Sequence, residues 1–137
     1  MKILQVHNFY KKRGGEDLVL ELESQLLKEN GHDVYWHTIS NNENLVTLTQ
    51  KIRAIFTTHY SNNQKKNFKK KLIKLKPDVV HVHNFFPLLS PSIFDACIEL
   101  NIPSVLTLHN YRLIHPNGLL IDNAGNIDTR TLKKNAY

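Results

Sequence analysis

The chain has 137 residues, 41% apolar and 22% charged, which fits one soluble globular domain and excludes global disorder. Cys97 is the only cysteine, so an internal disulfide and a thiolate metal cage are excluded, and no apolar stretch approaches the roughly 18 residues needed to cross a bilayer. The net charge of +6 is a local feature, because residues 61–76 hold seven lysines and no acid.

The first residues, Met1 to His7, lack the long apolar stretch and small-residue cleavage site of a signal peptide, so a cytoplasmic protein is expected. Residues 2–7 read as a buried strand. Residues 16–30 follow with Leu18, Val19, Leu22, Leu26 and Leu27 at helical spacing, and Gly31 supplies a helix stop. A second β-prone run, 33–39, completes a β-α-β unit whose crossover should be right-handed.

Residues 41–59 carry Leu45, Leu48, Ile52, Ile55 and Phe56 as a helical stripe, and a further helix, 63–76, places Phe68, Leu72 and Leu75 on one side before Pro77 ends it. Residues 78–83 form the third strand. Pro91 fits the first position of a helix capped by Ser90, running to Leu100 with Cys97 as a buried small apolar side chain. Residues 104–109 give the fourth strand. Beyond Tyr111, turn signals flank Leu119, Leu120 and Ile121 and predict a small hairpin, while 129–137 read as an interrupted element.

Strands alternating with helices imply an α/β domain: a Rossmann-like parallel sheet with helices on both faces and strand order 2-1-3-4. One domain, 1–137, is expected. Three strands then end alike, in His7-Asn8, His83-Asn84 and His109-Asn110, at the sheet edge where open α/β folds bind ligands. Asparagine offers a neutral donor and acceptor suited to sugar hydroxyls, which makes His7, Asn8, His83, Asn84 and Asn110 candidates for binding a sugar. A buried histidine satisfied by backbone is the plainer reading of each ring.

Between the first strand and first helix, Arg13-Gly14-Gly15 combines a cation with two glycines beside the free N–H groups of a helix start, a setting for phosphate or diphosphate. The competing reading is an exposed turn that needs glycine for its geometry. No Gly-x-Gly-x-x-Gly or Walker lysine is present, and Glu16 and Asp17 suit a helix N-terminus by themselves.

His81 and His83 share one strand face, as metal ligands can, but no Asp or Cys stands at a persuasive spacing, so hydrogen bonding or packing is expected and no metal or other cofactor. Glu21 and Glu29 belong to a solvated helix face, and no nucleophile elbow is present. Lys65, Lys66, Lys69, Lys70, Lys71 and Lys74 read either as a solvated face or as a surface for anionic membrane or another polyanion. Nucleic acid is not expected, because aromatic residues are not interleaved with the lysines.

Taken in order, Met1-Lys2-Ile3-Leu4-Gln5-Val6-His7, Gly14-Gly15-Glu16-Asp17, Gly31-His32-Asp33-Val34, Lys76-Pro77-Asp78-Val79-Val80-His81-Val82-His83 and Pro103-Ser104-Val105-Leu106-Thr107-Leu108-His109-Asn110 resemble the N-terminal domain of family 4 glycosyltransferases. The likeness spans Met1 to about Ile121. It implies one half of a GT-B architecture, in which the first Rossmann-like domain binds the acceptor and a second binds the nucleotide-sugar donor. It also implies retaining, hexosyltransferase-type transfer to a saccharide or lipid-linked acceptor, without a bound metal.

Under that resemblance Gly14 and Gly15 lie by the donor diphosphate, His109 reaches the transferred sugar as the catalytic residue, and His83 with Asn84 lines the acceptor side. Asp17 stands where many relatives have glutamate. The family's donor domain, with two glutamates eight apart, should follow the first, and the last glutamate here is Glu99. A 137-residue chain with one wall of the cleft is therefore expected to be inactive alone, with peripheral contact at the inner face of the cell membrane as the sharper reading of its lysines.

Overall fold

The computed structural model describes residues 1–115, 118–122 and 124–128, the side chain of Arg53 excepted. The chain forms two compact units, Met1–Thr107 and Leu108–Tyr137.

In the first unit, β1 (Lys2–Phe9), α1 (Gly15–Glu29), β2 (Asp33–Ser40), α2 (Asn41–Asn44), α3 (Leu48–Thr57), α4 (Asn62–Leu75), β3 (Val79–Asn84), α5 (Ser92–Glu99) and β4 (Ser104–Leu106) follow in chain order. The four strands pair in parallel in the order β2-β1-β3-β4. This is the expected Rossmann-like α/β arrangement, with the β1–β3 boundary at the point where the strand order reverses.

The two faces of the sheet differ in chemistry. Leu4 and Val6 of β1 and Val80 and Val82 of β3 alternate onto one face, where Phe68 and Leu72 of α4 and Ile93, Ala96 and Cys97 of α5 complete an apolar core. Side chains such as Phe68 and Leu72, with almost no exposed surface, each contribute roughly 1.5–3 kcal/mol by leaving water. Burial also pushes the Cys97 thiol up to about 11, which fits the small apolar role expected of it.

The opposite face carries Gln5, His7, His81 and His83 and is covered by α1. This inverts the expected helix: Asp17, Leu20 and Ser24 are its buried residues, while Leu18, Val19, Leu22 and Leu26 are exposed. The physical reason is partner matching. Polar groups taken out of water need hydrogen bonds, and only the polar stripe of α1 supplies them. Ser24 and Gln5, for example, both accept from the Trp36 indole N–H, at 3.2 and 3.0 Å. The stop expected at Gly31 is present, with φ of 78° and His32 N–H closing onto the Leu27 carbonyl at 3.1 Å.

The expected helix over 41–59 is two helices. Ser40 caps α2 and Thr47 caps α3, and the stripe Leu48, Ile52, Ile55 and Phe56 faces solvent rather than the core. The inner side of α3, with Gln50, Ala54 and Thr57, instead borders a cavity of about 370 Å³ shared with Ser61, Gln64 and Asn67. Ser90 does not cap α5 through its side chain. Pro91 is the N-cap, and the Ser90 hydroxyl meets that of Ser92 at 2.8 Å.

Strand β4 ends at Leu106, short of the expected His109. In the second unit, Ile121 and Ile127 form an antiparallel bridge, and Asp122 N–H bonds the Asn126 carbonyl at 2.8 Å, a tight turn where a hairpin was expected. The element read over 129–137 lies outside the described residues.

Candidate functional site

At the C-terminal end of the β1–β3 pair, the strands bring two of the three His-Asn pairs together. His7 Nε2 lies 2.7 Å from Asp17 Oδ1, with both side chains almost fully buried. The other Asp17 oxygen accepts the Gly14 backbone N–H at 2.9 Å. One carboxylate thereby ties the end of β1 to the glycine loop and occupies the third position of α1, where acidic residues suit the helix dipole.

Gly14 adopts φ of −124° and ψ of 178°, an extended conformation open to any residue. A Cβ added at Gly14 or Gly15 would meet nothing within 4 Å. Turn geometry is thus no reason for glycine at Gly14. What the pair leaves is bare backbone facing open space at the start of a 15-residue helix. The Arg13 guanidinium, expected beside it, pairs with Glu21 of α1.

The asparagines splice strand ends. Asn84 Nδ2 donates to the Asn8 carbonyl at 2.9 Å and lies 3.4 Å from Glu16 Oε1, while Asn84 Oδ1 accepts from Phe86 N–H at 3.0 Å. Asn8 Nδ2 donates to Asn41 Oδ1 at 3.0 Å, joining β1 to the start of α2. A register shift between Val6 and His7 sets His7 opposite Asn84, and the His7 and His83 rings sit edge to face with centroids 6.4 Å apart. His83 in turn stacks beside His81 at 4.2 Å, both on the α1 face as their spacing requires.

Sequence reasoning missed the partners of these groups. Asp17 had a signal, its position three residues after Gly14 at a helix start. Glu16 reads from sequence only as a helix-start residue, and Asn41, which reaches Asn8 from α2, had no signal.

His109 and Asn110 belong to the second unit. There they line a cavity of about 260 Å³ with Tyr111, Leu113 and Ile114, and Asn110 Oδ1 accepts from Arg112 N–H at 3.0 Å.

The lysines divide by partner. Lys65 and Lys69 each bond Glu99 of α5 at 2.6 Å, and Lys71 donates to the Trp36 carbonyl at 2.9 Å. Lys66, Lys70 and Lys74 are exposed on the outer side of α4, whose apolar residues Phe68 and Leu72 are in the core.

A family model for Glycosyltransferase Family 4 matches residues 12–132. No curated protein and no solved structure gives a match. The matched segment takes in the glycine loop, every element from α1 to β4 and both later His-Asn pairs, so the chain belongs to glycosyltransferase family 4 and corresponds to its N-terminal domain.

Proposed function

We propose that this domain forms the acceptor-side wall of a retaining glycosyltransferase that moves a hexose from a nucleotide-sugar donor to a saccharide or lipid-linked acceptor. The observation that carries the reading is the open backbone at Gly14 and Gly15, held by the buried His7–Asp17–Gly14 link. Two glycines that neither turn geometry nor packing accounts for leave the backbone open to close approach by a diphosphate, and the positive end of α1 favours negative charge there, although the Gly14 N–H itself is taken by Asp17.

In the first unit Asn84 and His83 are the neutral polar groups for hydroxyls, with His7 and Asn8, which have no exposed surface, holding the strand ends; in the second unit Asn110 serves the acceptor and, as the resemblance implies, His109 reaches the transferred sugar. Transfer needs both reactants oriented and the leaving diphosphate stabilised, which is the work of two domains. The chain alone is therefore expected to turn over no donor.

The test joins residues 1–137 to a family-type donor domain and measures sugar transfer. Activity in the fusion, absent from the separate parts, supports the reading, and inactivity of a folded fusion overturns it.

A second reading, peripheral contact with anionic membrane, is favoured by α3. Its apolar residues Leu48 and Phe56 are 72% and 78% exposed, and Lys66, Lys70 and Lys74 stand outward on the next helix.

A further inference from the structure

Beneath α1, two imidazoles and a carboxylate converge. Val80 and Val82 turn into the apolar core, so His81 and His83 project from β3 to the α1 face, where Glu23 approaches them. Glu23 Oε1 lies 2.8 Å from His81 Nδ1, and Glu23 Oε2 lies 3.8 Å from His83 Nε2. One ligand atom from each of the three residues fits within a span of 4.8 Å.

Around a tetrahedral zinc ion, with bonds of about 2.0–2.2 Å to nitrogen and oxygen, neighbouring ligand atoms stand roughly 3.3–3.6 Å apart. The two separations involve different oxygens of Glu23, and one ligand atom from each residue lies within 4.8 Å of the others, so side-chain rotations of about an ångström bring the three donors to that spacing. The tautomer is also provided for. His81 Nε2 is 2.7 Å from the Thr107 hydroxyl, and a proton held there leaves the Nδ1 lone pair turned toward Glu23. Gln5 Nε2 lies 3.5 Å from His83 Nε2, on the same side of the sheet.

Two imidazole nitrogens and a carboxylate oxygen that converge make a donor set suited to a divalent cation. Glu23 is 30% exposed at its side chain and His81 14%, against none for His83, which gives a buried floor and an open rim for entry of an ion and a water ligand.

We propose that Glu23, His81 and His83 bind one divalent zinc ion, with water completing the four-coordinate shell, and that the ion ties α1 to β3. His83 is shared with the acceptor side proposed above, and zinc binding is read by measurements that do not depend on sugar transfer.

The experiment uses the untagged 137-residue chain, stripped with a chelator and titrated with zinc chloride by calorimetry, with cobalt(II) as an optical probe. One equivalent should bind, and the cobalt form should show the intense visible bands of a four-coordinate site. Glu23→Gln and His81→Gln should each weaken zinc binding more than ~100-fold and Thr107→Ala about 10-fold, since outer partners of a ligand are worth ~10–100-fold. Zinc should raise the unfolding temperature of the wild type and not of Glu23→Gln. Circular dichroism confirms that each variant is folded, and should His81→Gln unfold, the isosteric Glu23→Gln decides. Absence of stoichiometric binding to the wild type, or unchanged affinity in folded Glu23→Gln, would overturn the proposal.

Discussion

The Asp17 carboxylate is shared between the His7 imidazole, at 2.7 Å, and the Gly14 backbone N–H, at 2.9 Å, so one side chain fixes both the end of β1 and the start of α1. Removing it strands a ring with no exposed surface. Asp17→Ala should therefore destabilise the domain by about 3 kcal/mol, read as a lower urea midpoint, because it removes a buried hydrogen-bond partner of the ring and the acceptor of the Gly14 N–H together. Asp17→Asn can still accept from Gly14 and donate to a neutral His7, and should lose less. Equal losses in the two variants would show that the carboxylate oxygens are not what holds the loop.

Gly14 separates folding from function. Its backbone is extended and an added Cβ meets nothing, so Gly14→Ala should leave stability within ~0.5 kcal/mol of wild type. Under the proposed function the same methyl group enters the space a donor diphosphate would occupy, and in a fusion with a donor domain kcat/KM should fall at least ~10-fold, since small displacements of bound reactants are amplified in rate. A variant with full activity would remove the glycine loop from the site. Gly31 is the contrast: its φ of 78° puts Gly31→Ala under strain, at about 1 kcal/mol, with no expected effect on transfer.

The order of elements and the strand order were legible because apolar runs such as Val79-Val80 and Val82, set between helical stretches, admit few topologies. The direction in which a helix faces was not. Leu18, Leu22 and Leu26 have the period of a core stripe, yet the sheet face above which α1 lies is lined by Gln5, His7, His81 and His83, and their need for partners decides which side turns inward. A period reports that a helix has two faces and says nothing of what its neighbour offers. The same limit applies to the site. His7 and His83 could be placed side by side from strand order alone, whereas Glu23 reaches His81 only through the packing of α1 on the sheet.

His37 gives the fold a pH dependence of defined sign. Burial, and then the Lys71 ammonium 3.2 Å away, lower this ring from 6.5 to about 4, so the folded protein holds it neutral. Above 6.5 both folded and unfolded chains carry a neutral ring. As pH falls from 6.5 toward 4 the unfolded chain takes up a proton that the folded one refuses, and stability drops across that window. Unfolding at pH 7 and pH 4.5 should show a smaller loss for His37→Gln than for wild type, and the His37 proton resonances should titrate near 4. A midpoint near 6.5 would mean the ring is not held neutral by the fold.

The lysines of α4 are not equivalent, and vesicle binding should report the difference. Glu99 holds Lys65 and Lys69 at 2.6 Å each, and those ammonium groups draw its carboxyl down to about 2, so at neutral pH the two lysines share one negative charge and the trio keeps a single positive one. Lys66, Lys70 and Lys74 are exposed and outward, and make no ion pair among the described residues. At about 1 kcal/mol for each lysine near an anionic surface, changing these three to glutamine should weaken sedimentation with phosphatidylglycerol vesicles by roughly 100-fold. Changing Lys65 and Lys69 should matter less, since each already sits against a carboxylate. On α3, Ile55→Ser with Phe56→Ser should weaken binding even at high salt, where the lysine contribution is screened, because apolar insertion does not depend on ionic strength. If the three glutamines and the two serines all leave binding unchanged, or if the wild type ignores anionic vesicles altogether, these helices face water and the acceptor meets the domain in solution.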